Sequence, residues 1–309
     1  MINFGYACIN MALQEKGVFT GRTMRKASFD REGLARCSQS AIDNARDLIQ
    51  IIQWNHQFGI NVYRISSTLI PWMSEFEISD LPNVDKLKNL YKGAGTIAKK
   101  LNQRLSFHPG QFCVLGSPDS SIVKKTIKEL NQHAEMMDLM DLEQTFYYPI
   151  NIHVGGVYGN KLEALKRFAS NWNDLSDSCK KRLIVENDDK GSMYSVKDLY
   201  EGLHKTIGIP ITFDYHHHGF CKGGLTEEEA LKLAATTWPE GITQLTHYSS
   251  SKRKYEDSSV KEQAHADYVY EEINDYGLSF DCEIEAKHKE KAVLKYRSQF
   301  LNKNEEINS

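Results

Sequence analysis

The order of apolar and polar positions along the chain predicts alternating strands and helices. Eight short runs are rich in Ile, Val, Tyr and Phe, and longer segments with apolar residues at helical spacing separate them. The predicted strands are residues 2–9, 60–67, 104–109, 147–154, 182–188, 209–216, 242–249 and 278–286. The helices predicted between them include residues 34–57, 121–142, 161–172, 226–236 and 261–275.

Four glycines support this alternation. Each stands directly before a predicted strand, where a helix often ends in a left-handed residue. They are Gly59, Gly208, Gly241 and Gly277. The pattern predicts an α/β fold, a single-domain (β/α)8 TIM barrel over residues 1–300, with a polar C-terminal tail at 301–309. A doubly wound open sheet is the alternative, but no Gly-x-Gly-x-x-Gly follows the first strand to support a dinucleotide fold.

Composition narrows the classes of protein that remain. No stretch approaches the ~20 apolar residues of a membrane helix, and no basic segment precedes an apolar run at the N-terminus, so we expect a soluble, unexported protein. The six cysteines are far apart and form no Cys-x-x-Cys pair, which favours reduced thiols in a cytoplasm over disulfides or a cysteine zinc site. The net charge of -3 means that any nucleic-acid partner needs a local basic surface.

The ends of the predicted strands carry the candidate chemistry. The C-terminal ends of barrel strands converge on one mouth, and here the ends from the third strand to the eighth carry imidazoles or carboxylates. They are His108, His153, Glu186, Asp214 with residues 216–218, His247 and Glu285. Such groups favour a Zn or Mn site, because without a cation they would repel one another or stay unsatisfied. Each residue alone also fits a plainer role, such as a hydrogen-bonded polar side chain or, for Glu186, a helix cap.

The segment 213–218 leaves two geometries open. In a continuing strand, Asp214 shares a face with His216 and His218, because side chains alternate. If the strand instead ends at Asp214, that residue and His217 can meet one metal ion.

Several motifs, in order from the first strand to the last, resemble a known family. They are GYACIN at 5–10, RISS at 64–67, FHPGQF at 107–112, NIHVGG at 151–156, VENDD at 185–189, FDYHHH at 213–218, HYSS at 247–250, AHADYV at 264–269 and EAKHKE at 285–290. Together they resemble the UV damage endonucleases. The resemblance implies a barrel similar to endonuclease IV that holds two or three divalent ions, usually Mn²⁺, with Zn²⁺, Mg²⁺ or Co²⁺ as alternatives. It also implies a repair enzyme, here a cytoplasmic monomer, that nicks damaged double-stranded DNA 5′ to cyclobutane pyrimidine dimers and 6-4 photoproducts.

Carried over position by position, the resemblance implies eight metal ligands. They are His108, His153, Glu186, Asp214, His217, His247, His265 and Glu285. It therefore favours a strand that ends at Asp214. We predict that Glu186, as a bridging carboxylate, and Lys287 are catalytic. Some relatives carry a modified, metal-bridging lysine two residues before His247; here that position is Leu245, which places the third metal in question.

The resemblance also implies residues that contact DNA. Gln111 and Phe112 are expected to probe the duplex after the Pro109-Gly110 turn, and Tyr6 and Asn10 to line the pocket for the extruded dinucleotide. Phe112 stands where some relatives have tyrosine. Phosphate contacts are predicted at the basic residues Arg22, Arg25, Lys252 and Arg253.

Three other functions compete with this prediction. An endonuclease IV-like enzyme acting on abasic sites differs only in lesion preference. A metal-dependent sugar isomerase shares the fold and the ligand types but has no need of an exposed Gln111-Phe112 pair. A non-catalytic DNA-binding protein does not need a complete ligand set.

Overall fold

A computed structural model describes residues 2–301 of the chain. Its eight strands close into a barrel in chain order, and each strand pairs in parallel with its neighbours. The strands are β1 (Ile2–Ala7), β2 (Val62–Ile65), β3 (Arg104–Phe107), β4 (Ile150–Ile152), β5 (Leu183–Glu186), β6 (Ile211–Asp214), β7 (Leu245–Tyr248) and β8 (Phe280–Ile284). The predicted TIM barrel is confirmed, and each predicted strand contains one of these strands.

Helices connect the strands on the outside of the barrel. They are α1 (Met11–Gln14), α2 (Lys26–Gln57), α3 (Val84–Lys100), α4 (Ser120–Leu139), α5 (Lys161–Trp172), α6 (Asp177–Lys180), α7 (Val196–Leu199), α8 (Lys205–Ile207), α9 (Tyr215–Phe220), α10 (Glu227–Ala235), α11 (Lys252–Tyr255) and α12 (Lys289–Tyr296). Short 3₁₀ turns cover Met73–Glu75 and Ile78–Asp80, and π-helical turns cover Tyr200–His204 and Arg297–Leu301. The predicted helices at 34–57, 121–142, 161–172 and 226–236 correspond to α2, α4, α5 and α10.

The predicted helix at 261–275 is wrong. Its backbone pairs with other segments: Lys252 N donates to Ala264 O, and Ala266 N donates to Ser250 O. Ala266 O in turn accepts from Lys287 N. These bonds use groups that a helix would need for its own ladder, so tertiary contacts override the local apolar spacing.

The left-handed conformation predicted for four glycines is confirmed, although only Gly59 and Gly208 stand at a helix end, after α2 and α8, while Gly241 and Gly277 lie in turns. Gly59, Gly208, Gly241 and Gly277 have φ angles of 62°, 70°, 81° and 80°, in the left-handed region that glycine adopts without a side-chain clash. Each reverses the chain at the lower end of the barrel and leads into a strand.

Alternation along each strand divides the side chains between two layers. Phe4 and Tyr6 of β1 face outwards, where the Phe4 ring contacts Tyr296 of α12 and the Tyr6 hydroxyl donates to Asn55 of α2. Between the strands and the helices lies the main apolar core. A smaller cluster of Val62, Ile184, Leu245 and Trp238 fills the lower end of the barrel interior.

A buried ion pair lies in the same lower layer. The Arg104 guanidinium is 2.8 Å from Asp281 Oδ2 and is 1% exposed. It also donates to the carbonyl oxygens of Tyr147, Thr243 and Phe146, at 2.8, 2.9 and 3.2 Å. Arg104 thus satisfies a buried carboxylate and three carbonyl oxygens at the floor of the barrel.

Three further features predicted from the sequence concern membrane segments, cysteines and the C-terminal tail. Within residues 2–301, every helix is too short or too polar to cross a bilayer. All six cysteines are free thiols. Of the predicted tail at 301–309, residues 302–309 lie outside the described residues.

His133 of α4 makes stability depend on pH. Burial lowers its pKa to about 4, whereas an unfolded histidine titrates near 6.5. Below pH 6.5 the unfolded chain therefore binds the proton first, so this stability is present above pH 6.5 and is lost as the pH falls towards 4. The loss at pH 5 is about 2 kcal/mol.

Urea unfolding at pH 7.5 and pH 5 measures this effect. The His133→Gln variant keeps a polar side chain without a titrating group, so we expect its stability to fall about 2 kcal/mol less than that of the wild type over the interval. Other histidines titrate equally in both proteins and cancel in the comparison. An equal pH dependence of the two proteins would contradict the assignment.

Candidate metal centre

Glu186, at the end of β5, is the hub of the barrel mouth. Its side chain is 1% exposed, and its oxygens lie 3.2 Å from His108 Nε2, 3.2 Å from His217 Nδ1, 3.1 Å from His247 Nδ1 and 3.9 Å from His153 Nε2. The strands that carry these residues end at one level, so residues distant in sequence become neighbours. The structure therefore brings four of the eight predicted ligands, all histidines, around the carboxylate of a fifth, Glu186.

Two groups of potential metal ligands share Glu186. One consists of His108, His153 and Glu186, and the other of Glu186, Asp214 and His247; within each group the ligand atoms lie within 4.8 Å of one another. A carboxylate has two oxygens, so Glu186 can serve both groups at once.

The strand β6 ends at Asp214, as the second of the two geometries predicted. Asp214 becomes the N-cap of the short helix α9, and its Oδ1 accepts from His217 N at 2.7 Å. The helical turn brings His217 Nδ1 to 3.9 Å from Asp214 Oδ2. His216 belongs to neither ligand group, and its ring packs edge-on against Phe220 and His265.

His265 and Glu285 form the outer side of the cluster. His265 Nδ1 lies 3.5 Å from Glu285 Oε2, and Glu285 Oε1 lies 3.5 Å from His247 Nδ1. His265 reaches this position because it pairs with Ser251 in an isolated antiparallel bridge, within the segment that was expected to be helical. All eight predicted ligands thus face one mouth, with His265 and Glu285 at its edge.

Opposite charges in this buried cluster shift one another's pKa. Burial raises the pKa of Glu186, but positive charge on His247 and His153 outweighs it and holds the pKa well below the ordinary value. Burial lowers the pKa of His247 and His217, but the carboxylates around them raise both pKa values well above the ordinary value. Burial raises the pKa of Asp214 to about 6.

The donor atoms fit a divalent metal ion. Asp214 Oδ2 and His247 Nδ1 are buried and have no hydrogen-bond partner among residues 2–301. Leaving such atoms unpaired is costly, whereas coordination of a cation satisfies both. Imidazole nitrogen with carboxylate oxygen suits Mn²⁺ and Zn²⁺. These buried groups could therefore hold metal ions.

Sequence reasoning missed the residues behind these ligands. Asp188 Oδ1 lies 3.1 Å from His153 Nδ1, and the Asn151 amide donates to Glu186. Glu283 Oε2 lies 3.1 Å from His247 Nε2. The signal for Glu283 was present, because Asp281, Glu283 and Glu285 alternate along β8 and so share its inward face.

An open cavity of about 1040 Å³ leads to the cluster. His108, His153, His217, His265 and Glu285 line its base. Its rim carries exposed side chains, among them Gln111, Ile122 and Tyr158, and the Phe112 ring is 82% exposed. An aromatic ring so exposed at a cavity rim marks a binding surface rather than a core position.

The structure places the Tyr6 and Asn10 side chains outside the cavity. Both side chains are fully buried, and Asn10 Nδ2 donates to the Tyr6 hydroxyl, which in turn donates to Asn55. The alternation of β1 directs Tyr6 towards helix α2 and away from the barrel interior. Neither side chain therefore lines the cavity.

The basic residues predicted from the sequence differ in whether they form ion pairs within the protein. Arg22 is paired with Asp47 at 2.6 Å, and Lys252 lies 3.1 Å from Asp267, so both cations have partners within the protein. The other three predicted cations, Arg25, Arg253 and Lys287, are exposed, and Arg253 NH1 also lies 3.9 Å from Glu262 Oε1.

Leu245 does not face the ligands. It lies one layer below His247 on the inward face of β7 and packs in the apolar cluster at the lower end of the barrel. The position that carries a modified lysine in some relatives therefore contributes packing in this chain.

Comparison with known proteins gives consistent matches over the whole chain. The family model described as UV-endonuclease UvdE matches residues 2–309. The UV-damage endonuclease of Schizosaccharomyces pombe is 38% identical over 308 residues, covering 94% of this chain and 49% of that protein. The UV DNA damage endonuclease of Bacillus cereus strain Q1 is 32% identical, covering 96% of this chain and 93% of that protein.

One solved structure is similar in both sequence and fold. The crystal structure of SacUVDE superimposes with a TM-score of 0.83 at 32% identity, covering 98% of this chain and 99% of that one. The lengths of the relatives differ: this chain spans about half of the S. pombe protein and nearly all of the B. cereus protein.

Proposed function

This chain belongs to the UV-endonuclease UvdE family, and on that basis we propose that it is a metal-dependent repair endonuclease. It nicks duplex DNA immediately 5′ to cyclobutane pyrimidine dimers and 6-4 photoproducts, leaving 3′-hydroxyl and 5′-phosphate ends. The observation that carries the proposal is that buried Glu186 is shared by two groups of potential ligands at the base of an open cavity.

The two groups that meet at Glu186 would hold two divalent ions, with Mn²⁺ as the expected metal. Divalent ions in a paired site supply a water nucleophile at neutral pH and neutralise charge that develops on a phosphodiester. Glu186 spans the two groups, while Asp214 and His247 complete one and His108 and His153 the other. His265 and Glu285, at the cavity edge, would be the residues available to a third ion, whose binding Leu245 places in question.

The chain's own residues position the phosphodiester. The cavity has a volume of about 1040 Å³, and its base is the ligand cluster. Because the ligand side chains stand on strand ends and their adjacent turns, the rigid barrel fixes their separation. A phosphate that enters the cavity therefore meets a preorganised site.

Residues at the rim of the cavity recognise the lesion. Pro109 and Gly110 end the run of β3, and Cys113 N donates to Gly110 O at 2.9 Å, closing a turn that leaves Gln111 and Phe112 exposed. Unstacking a base step costs a few kcal/mol, and a photoproduct lowers that cost because it is already poorly stacked. Phe112 can fill the gap, so the enzyme selects deformable sites over particular bases.

Cleavage of four labelled preparations tests this function. A duplex with one thymine dimer, incubated with Mn²⁺, is expected to be nicked directly 5′ to the dimer. The same duplex with EDTA and an undamaged duplex with Mn²⁺ are expected to stay intact. A duplex with one abasic site completes the set: cleavage of that duplex alone would replace the photoproduct function by an endonuclease IV-like one.

Phe112→Ala is expected to weaken binding to the dimer-containing duplex by about 5- to 150-fold, because stacking of a base on an aromatic ring contributes about 1–3 kcal/mol. Since the ring is exposed, the melting temperature should not change. Fluorescence anisotropy with labelled duplexes measures the affinity, and the undamaged duplex should show a much smaller loss.

Phe58→Ala is the matched control. Phe58 is also a partly exposed ring, 46% accessible, but it follows helix α2 at the opposite end of the barrel. This variant should bind the dimer-containing duplex as the wild type does. Equal affinity losses in the two variants would remove Phe112 from lesion recognition.

A further inference from the structure

A second layer of charged groups lies directly beneath the candidate ligands. Glu283 of β8 is fully buried, and it stands two residues before Glu285 on the same inward face. Arg64 of β2 is also nearly enclosed, with 11% of its side chain exposed. A buried carboxylate and a buried guanidinium are costly unless their partners are well placed, so each needs a structural or functional reason.

Glu283 contacts three polar side chains. The Ser106 hydroxyl donates to Oε1, while Oε2 lies 3.1 Å from His247 Nε2 and 3.5 Å from Arg64 NH1. The same NH1 lies 2.5 Å from Oε1 of Glu285. Arg64 therefore connects the two glutamates of β8, one below the cluster and one within it.

The His247 ring stands between two carboxylates. Its Nε2 faces Glu283 below, and its Nδ1 lies 3.1 Å from Glu186 above. His247 Nε2 and Glu283 Oε2 are both buried and in contact, although the contact is not a well-aligned hydrogen bond in this structure. An imidazole with one nitrogen against a carboxylate presents the other nitrogen on the opposite side of the ring. Here the nitrogen presented to the candidate ligand group is Nδ1.

We propose that Glu283 is a positioning residue of the metal centre. It holds His247 so that Nδ1 points at the ion shared with Glu186 and Asp214, and Arg64 couples this arrangement to Glu285. The inference rests on the metal centre proposed above, but it concerns residues that the ligand set does not include. Histidine ligands commonly donate their second nitrogen to such a carboxylate, and loss of that partner typically reduces metal affinity by 10- to 100-fold.

The geometry separates this role from direct coordination. The His247 ring lies between Glu283 and Glu186, and the two oxygens of Glu283 already face Ser106, His247 and Arg64. Glu283 therefore acts on the ion through His247.

Cobalt binding tests the role without any DNA. Co²⁺ reports its coordination through visible absorption, and equilibrium titration gives its affinity. For Glu283→Gln we expect an affinity lower by about 10- to 100-fold and an altered spectrum. Glu283→Asp keeps the charge and should recover part of the affinity. Ser106→Ala removes the hydroxyl that donates to Glu283 Oε1 and should lower the Co²⁺ affinity by a few-fold. It replaces Glu283→Gln as the test variant if Glu283→Gln does not fold.

Asp281→Asn is the matched control. Asp281 lies two residues earlier on the same face of β8, but it contacts Arg104 and Asn3 at the barrel floor. This variant should lose stability and keep the Co²⁺ affinity and spectrum of the wild type. The same metal loss in both variants would show general destabilisation and overturn the proposal.

Two further outcomes separate this inference from the proposed reaction. Wild-type Co²⁺ binding in Glu283→Gln overturns the positioning role, whatever the enzyme does to DNA. A wild-type protein that binds Co²⁺ in a Glu283-dependent way, yet leaves the dimer-containing duplex intact, supports the positioning role and overturns the proposed cleavage.

Discussion

Glu186→Gln is expected to slow cleavage next to a thymine dimer by about a thousandfold or more. The amide keeps the size of the side chain but removes the negative charge that both ligand groups share. A loss of about 4 kcal/mol of transition-state stabilisation corresponds to this factor. Single-turnover cleavage with saturating Mn²⁺ measures the rate, and elemental analysis of the dialysed protein measures its metal content.

Glu290→Gln is the appropriate control for this experiment. Glu290 is also fully buried, but it accepts from Met11 N and Ala12 N at the start of α1. Its replacement should lower stability and leave the cleavage rate of the folded protein unchanged. Near-normal nicking by Glu186→Gln with its metal still bound would disprove the bridging role of Glu186.

The sequence predicts the barrel well because several local signals agree. Strand positions follow from apolar runs, and the turns into four strands follow from glycines such as Gly59 and Gly208, whose left-handed conformation any other residue adopts at a cost. The convergence of His108, Glu186 and His247 then follows from topology alone, because parallel strands in a barrel end at one mouth.

The failures have a common physical origin. The segment 261–275 has helical apolar spacing, but its backbone bonds are taken by residues such as Ser250 and Lys252, which no local pattern reveals. Long-range pairing of this kind decides the structure only when the barrel is assembled. His265 reaches the mouth through that pairing, so the spacing of apolar residues in the sequence cannot predict its position.

Tyr6 shows a second limit, which lies in the direction of a side chain. Motif position implies that Tyr6 is near the mouth, and it does lie near the end of β1, but strand alternation turns it towards α2. The same alternation correctly applied to β8 would have found Glu283 beneath His247. The alternation of side chains along a strand therefore predicts both the candidate ligands and the residues that contact them, provided that the inward face of every strand is examined.

Charge runs predict interfaces poorly for a related reason. Arg22 and Lys252 belong to basic segments, but Asp47 and Asp267 come from elsewhere in the chain and pair with them. A prediction from the charge of a short sequence segment does not take these distant acidic residues into account. Among the four basic residues predicted from the sequence, Arg25 is exposed, whereas Arg253 NH1 also lies 3.9 Å from Glu262 Oε1.

Arg104→Met is expected to lower the free energy of unfolding by about 3–5 kcal/mol, a large share of the 5–15 kcal/mol that holds a typical domain folded. Methionine fills much of the same volume, but it leaves Asp281 as an uncompensated buried charge and leaves three carbonyl oxygens without their donor. Urea unfolding followed by circular dichroism measures the change.

The location of Arg104 makes this prediction separable from function. Arg104 lies at the floor of the barrel, so the folded fraction of Arg104→Met should bind Co²⁺ with wild-type affinity. Arg46→Met removes an exposed ion pair with Asp43 and should cost no more than about 1 kcal/mol. Adding Asp281→Leu to Arg104→Met should recover part of the lost stability, because a buried pair costs most when one partner is left alone. If the two single arginine variants lost similar stability, the floor ion pair would have no special role in holding the barrel closed.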